Sequence, residues 1–188
     1  LGRELGDVLP DSTVVTHAEC DIRDYDAVYD RVHATSPPAA SEVDVIINAA
    51  AYTAADKAES EPKEAFAVNA LGARNIAEAG YHHRAIVVHV STNAIFDGAD
   101  GTFDETSAVQ PASTYGYTKR IGEEYVIDQL TAATKPWYIV RTGFLYGKYG
   151  KNFGSRIFGR LRAGELIPAD PVRMVTPTWA RFVAEAIE

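Results

Sequence analysis

"VDVIINAAA" (residues 43–51) is a nearly continuous apolar run that ends in small residues, and its reading decides the fold. A strand with one face in water alternates apolar and polar side chains, whereas a strand covered on both faces reads as an unbroken apolar run. Two more runs share this character, "AIVVHVST" (85–92) and "PWYIVRTGFLYG" (136–147). Between them lie segments of helical period. "SEPKEAFAVNALGARNIAEAG" (60–80) reads as a long helix with Pro62 near its first turn and Gly80 at its C-terminal end. A helix from about 115 to 133 follows the second run, and "KNFGSRIFGRLRAG" (151–164) is a helix stopped at Gly164. Buried strands alternating with long helices mean βαβ units and a parallel sheet. The expected fold is α/β, a doubly wound parallel sheet of Rossmann-like type, with ligands at the carboxyl ends of the strands.

Working outward, "LGRELGDVLP" (1–10) places Leu1, Leu5, Val8 and Leu9 on one helical face, with Pro10 as the stop. "STVVTH" (12–17) is a short β-branched run, expected to be a strand, and "DIRDYDAVYDRVHAT" (21–35) is expected to be a helix. "PPAASE" (37–42) and "GADGTFDETSAVQPAST" (98–114) are loops, and "TPTWARFVAEAIE" (176–188) closes on an amphipathic helix. Both ends look cut, so the sequence is expected to be the middle of a longer chain.

The chain has 188 residues, 46% hydrophobic and 23% charged, with a formal net charge of −8. That charge argues against a nucleic acid or an anionic membrane as partner, since both need a basic face. Cys20 is the only cysteine, so no disulfide framework exists, and a reducing cytoplasm is the expected compartment. No run approaches the roughly 18 apolar residues of a membrane span, and the first residues lack a signal peptide's basic start.

The residues that could carry chemistry sit at the expected strand ends. After Asn48, three alanines leave room for a flat or bulky ligand near the backbone, or simply pack a helix tightly on a strand. Ser91 and Thr92 offer hydroxyls, or cap the strand. Tyr115 and Lys119 stand four apart on a helix and so share a face. A phenol titrates near about 10, and a cation within roughly 4–6 Å favours its ionised form. Such a pair could pass a proton near neutral pH, or could be an exposed helix face.

Together, and in this order, these pieces resemble the extended short-chain dehydrogenase/reductase superfamily and within it the dTDP-4-dehydrorhamnose reductase family. The phrases that carry the resemblance are "LGREL" (1–5), "VIINAAAYTAADKAESEP" (45–62), "AVNALGARNIA" (67–77), "HVSTNAIFDG" (89–98), "YGYTKRIGEE" (115–124), "RTGFLYGKYGKNF" (141–153) and "TPTWA" (176–180). The resemblance implies a Rossmann-like NAD(P)-binding domain over 1–188, incomplete, with 148–188 leading into the substrate-binding part. It implies NADPH or NADH as cofactor, a dTDP-sugar as substrate and reduction of the C4 ketone of dTDP-4-dehydro-L-rhamnose; a homodimer is compatible with it. Tyr115 would give the proton to the ketone oxygen, Lys119 would hold the nicotinamide ribose and lower the tyrosine's pKa, and Thr92 would hydrogen-bond the substrate carbonyl. Asp21 and Ile22 would lie along the adenine end of the cofactor. Ala49, Ala50, Ala51, Tyr52 and Thr53 would line its middle, with Leu1 and Val90 also against it. Asn93 and Phe144 would face the substrate.

The sequence departs from the family pattern at several places. Of the glycine-rich phosphate turn only Leu1 and Gly2 remain, so cofactor binding by the sequence as it stands is expected to be weak. The C-terminal substrate segment is absent, Asn93 and Ala94 replace a usual Asp-Tyr pair, and Phe144 stands where Trp is common. Family members can hold Mg²⁺ through glutamates; Glu4 matches one such position but Arg181 replaces another, so no metal is expected. Two alternatives compete. One is another nucleotide-sugar epimerase, reductase or dehydratase, although dehydratases carry Asp-Glu where Asn93 and Ala94 stand. The other is a non-catalytic subunit similar to the regulatory subunit of methionine adenosyltransferase. The remaining residues take plain readings: His82 and His83 in a polar loop, His89 as a satisfied core histidine, Trp137 and Trp179 as packing residues, Glu123 and Glu124 as a solvated helix face, Cys20 as an unreactive thiol.

Overall fold

The computed structural model describes residues 1–35, 43–98, 102–150, 152–168 and 175–188. The expected 37–42 loop, and residues 99–101 of the 98–114 loop, lie outside the described residues. The chain forms two compact units, Val15–Arg141 and Leu1–Val14 with Thr142–Glu188.

The larger unit is α/β. Strands β1 (Val45–Asn48), β2 (Ile86–Thr92) and β3 (Trp137–Thr142) form one sheet in that order. β1 and β2 run parallel, with Ile46 opposite Val87 and Asn48 opposite His89. A parallel pair needs a crossover, and α3 (Ala55–Ala58), α4 (Pro62–Phe66), a π-helical turn (Ala67–Leu71) and α5 (Gly72–His82) supply it. α2 (Tyr25–Thr35) and α6 (Thr114–Leu130) complete the helical layer. Val28 and Val32 of α2, Ile76 and Ala77 of α5, Val87 of β2, and Val126 and Leu130 of α6 form one buried cluster. Each fully buried aliphatic side chain contributes about 1.5–3 kcal/mol.

Strand periodicity shows how the core becomes a site. Side chains two apart on a strand share a face, so Ile46 and Asn48 look the same way, as do Val87 and His89. The apolar pair belongs to the core cluster or packs against it. Two residues further toward the carboxyl ends, the same face carries the buried polar pair Asn48 and His89.

Several expectations are corrected here. Residues 12–17 form no strand: Val14 and Val15 are exposed, and no described strand offers them a hydrogen-bond ladder. The 21–35 helix starts only at Tyr25, because the Asp24 carboxylate accepts the Ala27 N–H at 3.2 Å and caps the first turn. Gly80 is not a terminator. The helix runs on to His82, and a Cβ at Gly80 would overlap the Val87 side chain, so the glycine lets α5 lie close on β2. His82 and His83 end that helix rather than sit in a loop, and the His83 ring lies 4.8 Å from that of Tyr29. Glu123 is not solvated: it is buried and pairs with Arg141 of β3 at 2.8 Å.

In the smaller unit, β4 (Phe144–Tyr146) and β5 (Pro177–Trp179) form a parallel pair, with α1 (Gly2–Val8), α7 (Phe153–Arg162) and α8 (Ala180–Ile187). The expected 136–147 strand is therefore two strands divided at Gly143, where a Cβ would overlap the Thr176 carbonyl. β5 was not foreseen, since three residues are too short for a period to register. Leu5, Ala180, Val183 and Ala184 are buried, whereas Trp179, expected to pack, is half exposed. The buried Glu4 carboxylate accepts the Lys148 N–H at 3.2 Å, and Arg181 pairs with Glu185 at 2.6 Å. Among the described residues there is no cluster of three or more metal-type side chains, and no helix is long and apolar enough to cross a membrane.

Candidate active site

The site is built where β1 and β2 end and α6 begins. Thr92 is the last residue of β2, and its Oγ1 accepts the Ala94 N–H at 3.1 Å, turning the chain into a short 3₁₀ segment, Asn93–Ile95. α6 is anchored twice at its start. Ser113 caps it by accepting the Gly116 N–H at 3.1 Å, and Glu59 accepts the Thr114 N–H and hydroxyl at 2.8 and 2.7 Å. A Cβ at Gly116 would overlap the Ala94 carbonyl, so glycine there allows α6 to approach the turn after Thr92. That approach brings the Tyr115 phenol beside the Thr92 hydroxyl, close enough for the hydroxyl to act on its titration.

Lys119, one turn further, is almost wholly buried. Its Nζ donates to the Val90 carbonyl at 2.7 Å and lies 3.4 Å from His89 Nε2. His89 Nδ1 lies 3.1 Å from Asn48 Nδ2, and Asn48 Oδ1 accepts the Ala50 N–H at 3.1 Å. Burial pushes the lysine down to about 8, opposed by the Glu123 carboxylate. Burial holds His89 well below its ordinary value, with Lys119 adding to the effect. Burial likewise raises the Tyr115 phenol, and the Thr92 hydroxyl works against it. In this arrangement the Lys119 Nζ is engaged by the Val90 carbonyl, and desolvation is the largest influence on the Tyr115 phenol.

The loop after β1 is held by Asn69 from the π-helical turn. Its Oδ1 accepts the Tyr52 N–H at 2.8 Å, and its Nδ2 donates to the Tyr52 carbonyl at 3.2 Å and to Thr118 Oγ1 at 3.0 Å. Ala49, Ala50, Ala51 and Thr53 stay on this loop at least partly open, and the Tyr52 hydroxyl bonds Glu61, which raises the phenol to about 12. Ile22 packs against Gly72, and its carbonyl accepts from Asn75 at 2.9 Å. The Asp21 carboxylate takes the Arg23 N–H and guanidinium, which lowers it to about 2. The larger unit thus brings Thr92, Asn93, Val90, Tyr115, Lys119 and the Ala49–Thr53 loop together. Leu1 and Phe144 belong to the other unit. Asn48 and Asn69 have no functional reading from sequence; each is a polar residue in an apolar run, the one signal that marks it, whereas Glu123 beside Glu124 carries no such signal.

The sequence pattern described as the RmlD substrate binding domain matches residues 1–188, the whole chain. The chain belongs to that family. Within it, the chain is 33% identical to a dTDP-4-dehydrorhamnose reductase of Aggregatibacter actinomycetemcomitans, over all of this chain and 62% of that protein. It is 38% identical to one of Streptomyces griseus, over all of this chain and 60% of that protein. The chain thus spans less than two thirds of these relatives' length. Among solved structures of the family, a dTDP-4-dehydrorhamnose reductase of Clostridium acetobutylicum superposes with a TM-score of 0.86 at 32% identity, covering 99% of this chain and 64% of that one. A Bacillus anthracis member, solved in complex with NADP, gives 0.74 at 33% identity over 85% of this chain and 56% of that one. The doubly wound, Rossmann-like α/β reading agrees with these members of the RmlD family.

Proposed function

We propose that the protein reduces the C4 ketone of dTDP-4-dehydro-L-rhamnose with NADPH, giving dTDP-L-rhamnose. The observation that carries this reading is the meeting of Tyr115 with Thr92 beside a buried Lys119 at the end of β2. The names of the relatives and the NADP bound to the Bacillus anthracis member support the substrate and the cofactor.

The donor set fits a nicotinamide cofactor. Lys119 has three N–H donors when charged and a single strong acceptor at Val90, which leaves donors for ribose hydroxyls. The Ala49–Ala51 backbone carries nothing beyond Cβ. The cofactor, when bound, supplies the hydride. Everything else is done by the chain. Thr92 donates to the ketone oxygen and fixes its position beside Tyr115. Tyr115, held protonated by burial, is poised as an acid and releases its proton to that oxygen as negative charge develops there. Lys119, turned toward the ribose and charged, stabilises the phenolate left behind.

The test is steady-state NADPH oxidation by the full-length protein with dTDP-4-dehydro-L-rhamnose, with the product identified by mass and retention. Turnover to dTDP-L-rhamnose is expected. A protein that binds NADPH yet leaves the sugar unreduced would overturn the reading.

A further inference from the structure

Hydrogen bonds in the buried cluster behind Tyr115 can run in only one direction. A backbone N–H always donates, so the Asn48 atom that meets the Ala50 N–H is the oxygen. The Asn48 amide nitrogen therefore faces His89 Nδ1 at 3.1 Å and can only donate to it. A neutral imidazole accepting at Nδ1 carries its proton on Nε2. That Nε2–H points at Lys119 Nζ, 3.4 Å away. An ammonium has no lone pair with which to accept it; a neutral amine has one.

We propose that His89 is a positioning residue that favours the uncharged amine of Lys119 while the cofactor site is empty, and that above about pH 8 Lys119 gains a proton when it turns to the cofactor's ribose. The chain reads Ala50 N–H to Asn48, Asn48 to His89, His89 to Lys119, and Lys119 to the Val90 carbonyl. Charging Lys119 in place sets two donors against each other, whereas ribose hydroxyls can accept from the ammonium. The proton comes from solvent, one per Lys119. The part about the cofactor rests on the reading under Proposed function.

The other charged and titratable groups around Lys119 do not reverse this. On its own helix Glu123 favours the ammonium, but Arg141 of β3 holds that carboxylate with contacts of 2.8 to 3.3 Å. Tyr115 on the same helix stays protonated through burial. β1 contributes Asn48, which is neutral. Desolvation of Lys119, which sets its protonation near pH 8, works in the same direction as the chain.

The experiment uses the full-length protein without cofactor. In ¹⁵N-histidine NMR, His89 is identified by its absence from His89→Gln. The expected parent signal is a neutral ring with the proton on Nε2 from about pH 8 to 10, where Lys119 is the free amine. A proton on Nδ1, or an imidazolium in that range, would overturn the proposal. The Lys119 titration is followed through ¹³Cε-labelled lysine and identified by Lys119→Arg. His89→Gln places a carboxamide oxygen where Nε2 was, so protonation of Lys119 should become about tenfold more favourable. Asn48→Asp keeps an acceptor for Ala50 and reverses the histidine tautomer, with the same result. If neither variant moves the Lys119 midpoint, the chain does not control the lysine. Calorimetry of NADPH binding in buffers of different ionisation heat completes the test. The parent should take up nearly one proton at about pH 9 and almost none at about pH 6. His89→Gln should take up much less at pH 9. Failure to bind NADPH would count against the cofactor reading alone, because the two NMR arms do not depend on it; binding without proton uptake at pH 9 would overturn the proposal.

Discussion

Arg141 Nη2 meets the Glu123 carboxylate at 2.8 Å, joining β3 to α6, and the two partners differ in their access to water. Glu123 is 4% exposed and Arg141 25%. Removing one partner of a buried pair leaves the other charge uncompensated, at about 3–5 kcal/mol. Arg141→Leu should cost an amount near that range, because Glu123 cannot reach solvent. Glu123→Gln should cost less, because the guanidinium can turn outward. Urea denaturation of both variants checks the order; equal losses would mean that Glu123 has another route to water.

Tyr115→Phe removes one oxygen from a phenol that lies beside the Thr92 hydroxyl. The fold and the affinity for NADPH should persist, while kcat falls by about 10²–10⁴, the usual worth of a positioned acid. Tyr117 is half exposed on the same helix and points elsewhere. Tyr117→Phe should retain parental activity in the same NADPH-oxidation assay. Reversed results would show that the wrong tyrosine had been assigned.

Lys119 makes stability depend on pH with a definite sign. Its folded-state value, about 8, lies below the roughly 10.4 of an unfolded lysine. Between these values the unfolded chain binds more protons, so stability rises with pH, and below about 8 the full cost of charging the buried amine applies. Lys119→Met should therefore fold more stably than the parent at pH 7, by about 3 kcal/mol at most. The advantage should fade between about pH 8 and 10.4, while NADPH affinity is lost throughout. Thermal or chemical denaturation across that range decides it.

Asn69 satisfies both backbone groups of Tyr52. Asn69→Ala leaves a part-buried N–H and carbonyl without these partners, at about 1–3 kcal/mol for each group that stays unsatisfied. The loop bearing Ala49–Thr53 should loosen, raising KM for NADPH more than it lowers kcat. A stability loss with unchanged NADPH binding would separate the loop from the cofactor.

The β1 and β2 strands and helices α5 and α6 were legible because burial on one or both faces writes a period or an apolar run into the sequence. Residues 12–17 misled for the opposite reason: β-branched side chains favour a strand, but only a neighbouring ladder makes one. Tyr115, Lys119 and Thr92 could be picked out because their spacing and their places at strand ends are sequence properties. The direction in which Lys119 points could not, since helical spacing fixes a shared face but not which acceptor wins, and Val90 offers a carbonyl at 2.7 Å. Glu123 was misread because a glutamate next to another glutamate looks like a solvated face, and only the fold reveals Arg141 opposite it.

The π-helical turn at Ala67–Leu71 amounts to one surplus residue inside an otherwise regular helix. Removing a single residue there would let the helix close normally, at the expense of a rotation of about 100° and a shift of about 1.5 Å for everything after it. Ala73, Ile76 and Ala77 would then swing off the core, or Asn69 would swing off Tyr52 and Thr118. The extra residue lets one helix keep two separate appointments, and a shortened version would have to break one of them.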